Sequence, residues 1–156
     1  AFPATKTIVL SDIIETDLGE LAQVVRSSIR SSTDESGQAT QFLIDETIQS
    51  LSVWWDKNSS GFQSKYSIEG EIVGFIVVKD FWNLSHLFVL PNYQRFGIGK
   101  ALVQSAIDAC KERSPEKKLK LNSSTYAADF YKCVGFRQSG PSLERPGGCI
   151  PYEYSY

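Results

Sequence analysis

Apolar residues along this chain switch between two spacings, and the switches mark its elements. "KTIVLSD" contains a short apolar run that reads as a first strand. Beyond it Leu18, Leu21, Ala22, Val25 and Ile29 recur at helical spacing, with Asp17 and Glu20 set as a capping box. The polar stretch "RSSTDESGQAT" separates this helix from a second helical pattern over residues 41–53. Residues 62–68 and 71–79 read as strands around a turn at Glu69 and Gly70. The second of these carries "IVGFIVV", an unbroken apolar run suited to a central strand covered on both faces. "NLSHLFVL" is a further strand, stopped by Pro91. Ile98, Leu102, Ala106 and Cys110 form a helical stripe, and "KLKLN" is a fifth strand. Residues 126–134 form a short helix with Gly135 as its stop. "GFRQSG" and "GCIPYEYSY" close the chain as two strands around a loop rich in Gly and Pro. The order β-α-α-β-β-β-α-β-α-β-β predicts a mixed α/β fold in one domain over residues 1–156.

Composition narrows the functional classes. The chain has 156 residues, 42% hydrophobic and 22% charged, enough for one substantial core. A formal charge of -2 gives no overall basic field for a nucleic-acid partner. The basic run "KERSPEKKLK" is broken by acids and a proline and reads as a solvated helix end and loop. Three cysteines, Cys110, Cys133 and Cys149, lack metal spacing, and a single histidine rules out a multi-histidine metal centre. No metal is expected. Reduced thiols, no apolar run long enough to span a bilayer and no signal-peptide layout predict a cytoplasmic protein without a membrane partner.

The most distinctive stretch is "NYQRFGIGK", between the strand ending near Leu90 and the helix running to Cys110. The first amides of that helix lack intrahelical partners. Gly97 and Gly99 remove side-chain bulk beside them, and Arg95 and Lys100 add positive charge, which suits a phosphate or pyrophosphate. A purely structural turn is the competing reading. The segment is neither a dinucleotide fingerprint, since no third glycine follows in register, nor a P-loop.

"LFVLPNYQRFGIGKALV" resembles the central segment of the GNAT superfamily of N-acetyltransferases, whose pattern [Q/R]-x-x-G-x-[G/A] is met by Gln94, Gly97 and Gly99. "LKLNSSTYAADFYKCVGF" resembles a later segment of the same family, in which a strand leads to a helix bearing "FY" and ending "GF". The resemblance implies a mixed sheet of about seven strands with helices on both faces. Its two central parallel strands, residues 84–89 and 119–122, splay apart around acetyl-CoA. It implies that backbone groups of Leu87 and Val89, with Phe88 between them, meet the pantetheine arm. Amides of Arg95, Phe96, Gly97, Ile98, Gly99 and Lys100, beside Gln94, then hold the pyrophosphate. Ser124 stands where many relatives carry an asparagine that contacts the cofactor, and Asn122 lies two positions earlier.

Acetyl transfer to an amine needs a polarised thioester carbonyl, a neutral amine and an acid for the departing thiolate. The resemblance assigns the first role to the Leu87 amide and the last to Tyr131. The base is less defined. Asn83 stands where some relatives place Glu or His, and neighbouring Ser85 is not a strong base. His86 has suitable chemistry, but strand alternation turns it away from Leu87 unless a bulge intervenes. A water chain ending at Asp80 or Glu71 is the other route. Trp54, Trp82, Asn83 and Ser85 are the candidate acceptor contacts, with Asp34, Glu35, Asp45, Glu46 and Glu153 as acids that attract a cation. Packing of the core or its rim is the preferred reading of the aromatics. The expected acceptor is a small-molecule amine; a protein or peptide acceptor, or a non-catalytic acyl-CoA sensor, are the alternatives. A homodimer is compatible with the resemblance.

Overall fold

The computed structural model describes residues 6–32, 37–58, 60–145 and 147–156. Among them, seven strands form one sheet: β1 (Ile8–Ser11), β2 (Gly61–Ile68), β3 (Glu71–Lys79), β4 (Asn83–Val89), β5 (Lys118–Ser123), β6 (Arg137–Gln138) and β7 (Ile150–Ser155). Four helices accompany them: α1 (Leu18–Ser32), α2 (Gly37–Asp56), α3 (Ile98–Cys110) and α4 (Ala128–Cys133). The element order is the one that the hydrophobic pattern predicts. The strand order is β1-β2-β3-β4-β5-β7-β6, antiparallel except between β4 and β5.

β3 is the centre of the molecule, buried from Ile72 to Val78, as its unbroken apolar run requires. One of its faces, with Phe75 and Val77, packs against Leu21, Val24, Val25 and Ile29 of α1 and Ile44 and Leu51 of α2. The other, with Ile76 and Val78, packs against Ile98, Leu102, Val103 and Ala106 of α3. Each fully buried aliphatic side chain contributes about 1.5–3 kcal/mol, so these two apolar layers fix where α3 begins. Gly74 allows the closest approach. A Cβ there would lie 3.0 Å from the Phe88 carbonyl and 3.3 Å from Ile98 and Leu102.

The start of α1 differs from the capping box expected of Asp17 and Glu20. A 3-10 turn (Glu15–Asp17) precedes the helix, and the Asp17 carboxylate accepts the Ile14 amide at 2.9 Å. Glu20 reaches across to accept the Ile72 amide at 2.9 Å. Glu20 therefore ties the helix to β3 rather than closing its own end; the tertiary partner outcompetes the local one.

Candidate active site

β4 and β5 are pinched together at one end only. Asn83 pairs with Lys120, the Lys120 amide donates to the Trp82 carbonyl at 2.7 Å, and beyond that point the parallel ladder stops. The Leu90 amide bonds the Val73 carbonyl on β3. Main-chain alternation therefore turns the polar groups of Leu87 and Val89 toward the gap. The Val89 carbonyl is already taken by Ser28 Oγ (2.9 Å) and Gln94 Nε2 (3.1 Å). That leaves the Leu87 amide, the Leu87 carbonyl and the Val89 amide facing the opening.

The gap widens into a cleft of about 630 Å³, a size suited to a cofactor-sized ligand. Ser28, Ser32 and Phe88 line it from the α1 side of the sheet, and Phe130 and Tyr131 from α4. The cleft thus passes between the splayed strands. Gln94, Arg95, Gly97, Gly99 and Lys100 form its wall where α3 begins, and Ser124 closes the β5 side.

The α3 end is built as an anion cradle. Its N-cap, Gly97, has φ +83°, Arg95 has φ +68°, and no side chain caps the helix. Ala101 is the first residue whose amide reaches back within the helix, to the Gly97 carbonyl at 3.0 Å. The amides at the start of α3 therefore face the cleft, with the helix dipole behind them and two cationic side chains beside them. Gln94 fastens this turn from both ends. Its Nε2 holds the Val89 carbonyl, and its Oε1 accepts the Tyr126 hydroxyl at 3.0 Å.

The two glycines serve different purposes. A Cβ at Gly97 would meet nothing within 4 Å, so that glycine is there for its left-handed backbone and open approach. A Cβ at Gly99 would lie 3.2–3.3 Å from the Phe130 ring. Gly99 lets α4 seat against α3. We predict that Gly97→Ala costs about 1 kcal/mol of stability through backbone strain alone. Gly99→Ala instead pushes Phe130 and its neighbour Tyr131, lowering turnover as well as CoA affinity. Chemical denaturation and CoA titration of both variants check the contrast, which fails if they behave alike.

Tyr131 is buried, its ring 5.2 Å from Phe130, 5.7 Å from Phe136 and 6.5 Å from Tyr152. Its hydroxyl bonds to nothing among the described residues, yet no described side-chain polar atom is both sealed from solvent and unpartnered. The hydroxyl therefore opens on the cleft that Tyr131 lines. Burial raises its pKa well above the ordinary phenol range, so it keeps its proton at neutral pH. Ser124 Oγ accepts the Ala127 amide at 3.1 Å, which leaves its own proton free to donate.

The structure leaves other expected site residues outside this lining. The Phe96 side chain is exposed and that of Ile98 packs into the core, so only their main-chain amides can serve the start of α3, and Asn122 is exposed on β5. Trp54, on α2, packs into the core on the α1 side of the sheet and borders a separate groove of about 540 Å³ with Lys79, and its indole donates to the Ser60 carbonyl at 3.3 Å. Trp82 and Asn83 sit at the pinched end of the strand pair. Asp34 and Glu35 lie outside the described residues. A bulge does occur in β4, but at Ser85: Val77 pairs with His86 and Val78 with Leu84. It separates Leu84 from His86 and leaves His86 facing away from Leu87. His86 is 2% exposed and lies against Phe75 and Phe88. Its Nε2 bonds the Thr47 carbonyl at 2.9 Å and its Nδ1 meets Ser85 Oγ at 2.8 Å. A carbonyl only accepts, so Nε2 carries the proton and the Ser85 hydroxyl donates to Nδ1. Both nitrogens are committed, and burial lowers the pKa to about 4.

Ser28 and Ser32 were not foreseen as cleft residues. The one available signal was a serine, Ser28, on the apolar face that carries Leu21, Val25 and Ile29.

A splayed parallel strand pair thus opens beside an uncapped, glycine-bearing helix start. The sequence model of the acetyltransferase (GNAT) domain matches residues 32–154, and the chain belongs to that family. An N-alpha-acetyltransferase of Sulfurisphaera tokodaii is 32% identical over 89 residues, covering 46% of this chain and 53% of that protein. This chain thus spans about half the length of that relative. The PaiA N-acetyltransferase of Thermoplasma acidophilum, solved with coenzyme A, superposes with a TM-score of 0.81 at 21% identity, over 96% of this chain and 99% of that one. The ribosomal-protein-S18-alanine N-acetyltransferase of Escherichia coli gives 0.65 at 17%, over 95% and 93%. Among the described residues no helix is long and apolar enough to cross a membrane, and no His, Cys, Asp or Glu cluster is arranged for a metal.

Proposed function

We propose that the protein acetylates the primary amine of a small-molecule acceptor by direct attack within a ternary complex. The observation that carries this reading is the through-going cleft. Donor-side groups of β4 and α3 and the α1 residues Ser28 and Ser32 line one continuous space. Two reactants can enter from opposite faces and meet beside Leu87, which supports proximity as the main source of rate.

Bound acetyl-CoA supplies an activated acyl thioester. The chain's own groups do the rest. The Leu87 and Val89 amides and the Leu87 carbonyl hold an extended arm along β4. The α3 amides with Arg95 and Lys100 hold phosphates. The Leu87 amide donates to the carbonyl oxygen where negative charge develops. Tyr131 Oη holds a proton within the cleft for the departing sulfur. Asp129 is the single carboxylate lining the cleft among the described residues, and its side chain is 99% exposed. The arrangement therefore favours amines already neutral near the working pH, or delivered through water.

An α-amino group of a peptide is the second reading, favoured by the N-alpha-acetyltransferase similarity. α-Amines have pKa values near about 8, against about 10.4 for a lysine amine. A panel of small polyamines, amino acids, aminoglycosides and peptides with free amino termini, assayed by thiol release, decides between the two. Turnover confined to peptides overturns the small-acceptor reading and leaves the family assignment intact.

A further inference from the structure

β1 is the outermost strand at its end of the sheet. Natural edge strands are usually blunted by charge, proline or a covering segment. β1 is instead Ile-Val-Leu-Ser, with Ile8 44%, Val9 45% and Leu10 44% exposed, so apolar surface shows on both faces of the edge. Its main-chain phase is fixed by its bonds to the neighbouring strand. The Glu69 amide donates to the Thr7 carbonyl at 2.9 Å, and Ser64 Oγ to the Ser11 carbonyl at 3.3 Å. Odd-numbered residues therefore turn their polar groups inward to β2, and Ile8 and Leu10 turn theirs outward.

We propose that this edge pairs antiparallel with β1 of a second copy of the chain, about a two-fold axis through Val9. Outward-facing residues must meet outward-facing residues, so even-numbered positions pair with even-numbered ones. Registers that keep the apolar strip together set Ile8 on Ile8, Ile8 on Leu10, or Leu10 on Leu10. The first places Leu10 opposite Lys6, and the last places Ile8 opposite Asp12. The middle register alone avoids a charge facing an aliphatic residue, and it sets Lys6 of each copy across from Asp12 of the other. Both residues are exposed, and neither enters an ion pair among the described residues. In that register Ile8 and Leu10 exchange main-chain bonds at two symmetric places, and Val9 packs on Val9. The contact is isologous and closes on itself, which yields a dimer and no fibre.

Sedimentation velocity over about 1–500 µM should show reversible dimerisation in the weak range expected for an interface smaller than the standard size. Leu10→Pro should abolish it. The Leu10 amide points outward, so proline removes an intermolecular donor without touching the β1–β2 ladder. Lys6→Glu and Asp12→Lys should each weaken association about tenfold, because two symmetric pairs turn repulsive together. The combined Lys6→Glu/Asp12→Lys variant should recover it. Acetyl transfer should persist in all four variants, since none of these residues lines the cleft. A monomer at every concentration overturns the proposal and leaves the edge for another extended segment. A dimer that ignores Leu10→Pro places the interface elsewhere. Failure of the combined exchange to restore association refutes the register.

Discussion

Tyr131→Phe should lower turnover by a factor of about 10²–10⁴, the usual scale of general acid assistance, with little change in acetyl-CoA affinity. The separation follows from how Tyr131 is held. Its ring is fixed by Phe130, Phe136 and Tyr152, contacts that phenylalanine retains. Its hydroxyl, by contrast, has no partner among the described residues, so deleting it breaks no internal bond and leaves no buried group unpaired. Thermal stability should therefore stay close to that of the parent. Loss of kcat with unchanged KM identifies an interaction made in the transition state. Because burial raises the Tyr131 pKa, the proton is retained past the pH where an ordinary tyrosine gives it up. Wild-type activity should accordingly show no alkaline decline from this group in the ordinary tyrosine range. Full activity of Tyr131→Phe on the true acceptor would remove the acid role and leave the transferase intact. A large fall in stability would show the hydroxyl to be structural.

Where the sequence was informative, the reason was local. The unbroken run of β3 could only be a strand covered on both faces, and the helical stripe of Ile98, Leu102, Ala106 and Cys110 ends where α3 ends. The glycine segment could be placed at a helix start because the strand before it and the stripe after it were both readable. The features that escaped are those decided by partners distant in the chain. Glu20 looks like a capping residue until the Ile72 amide is brought beside it. That Gly99 also makes room for a ring shows only once α4 folds Phe130 onto it. The passage past Ser28 exists because α1 crosses the end of β4, where Ser28 bonds the Val89 carbonyl. Alternation was enough to turn His86 away from Leu87, but the bulge at Ser85 that separates His86 from Leu84 shows in no periodicity of a seven-residue strand.

The burial of His86 makes the fold acid-sensitive. His86 has a pKa of about 4 in the folded chain against 6.5 when unfolded, with burial as the main cause. The Thr47 carbonyl opposes this shift, and the Lys79 charge adds to it. Above pH 6.5 both states leave the imidazole neutral, and the native state keeps its full stability. As pH falls below 6.5 the unfolded chain takes up a proton that the folded chain refuses, so stability drops. The loss is complete near pH 4, where the folded state is protonated too, and amounts to about 3 kcal/mol at 1.36 kcal/mol per pKa unit. Carboxylates join only below about pH 5, so the interval between pH 6.5 and 5 belongs to this one histidine. Urea unfolding followed by tryptophan fluorescence should show stability falling by about 1 kcal/mol per pH unit across that interval. His86→Gln, which keeps a donor for Thr47 and an acceptor for Ser85, should flatten the slope even if its stability at neutral pH is lower. A wild-type slope near zero between pH 6.5 and 5 would mean that the imidazole is far more hydrated than its 2% exposure implies. His86 would then again be available as a proton carrier near neutral pH.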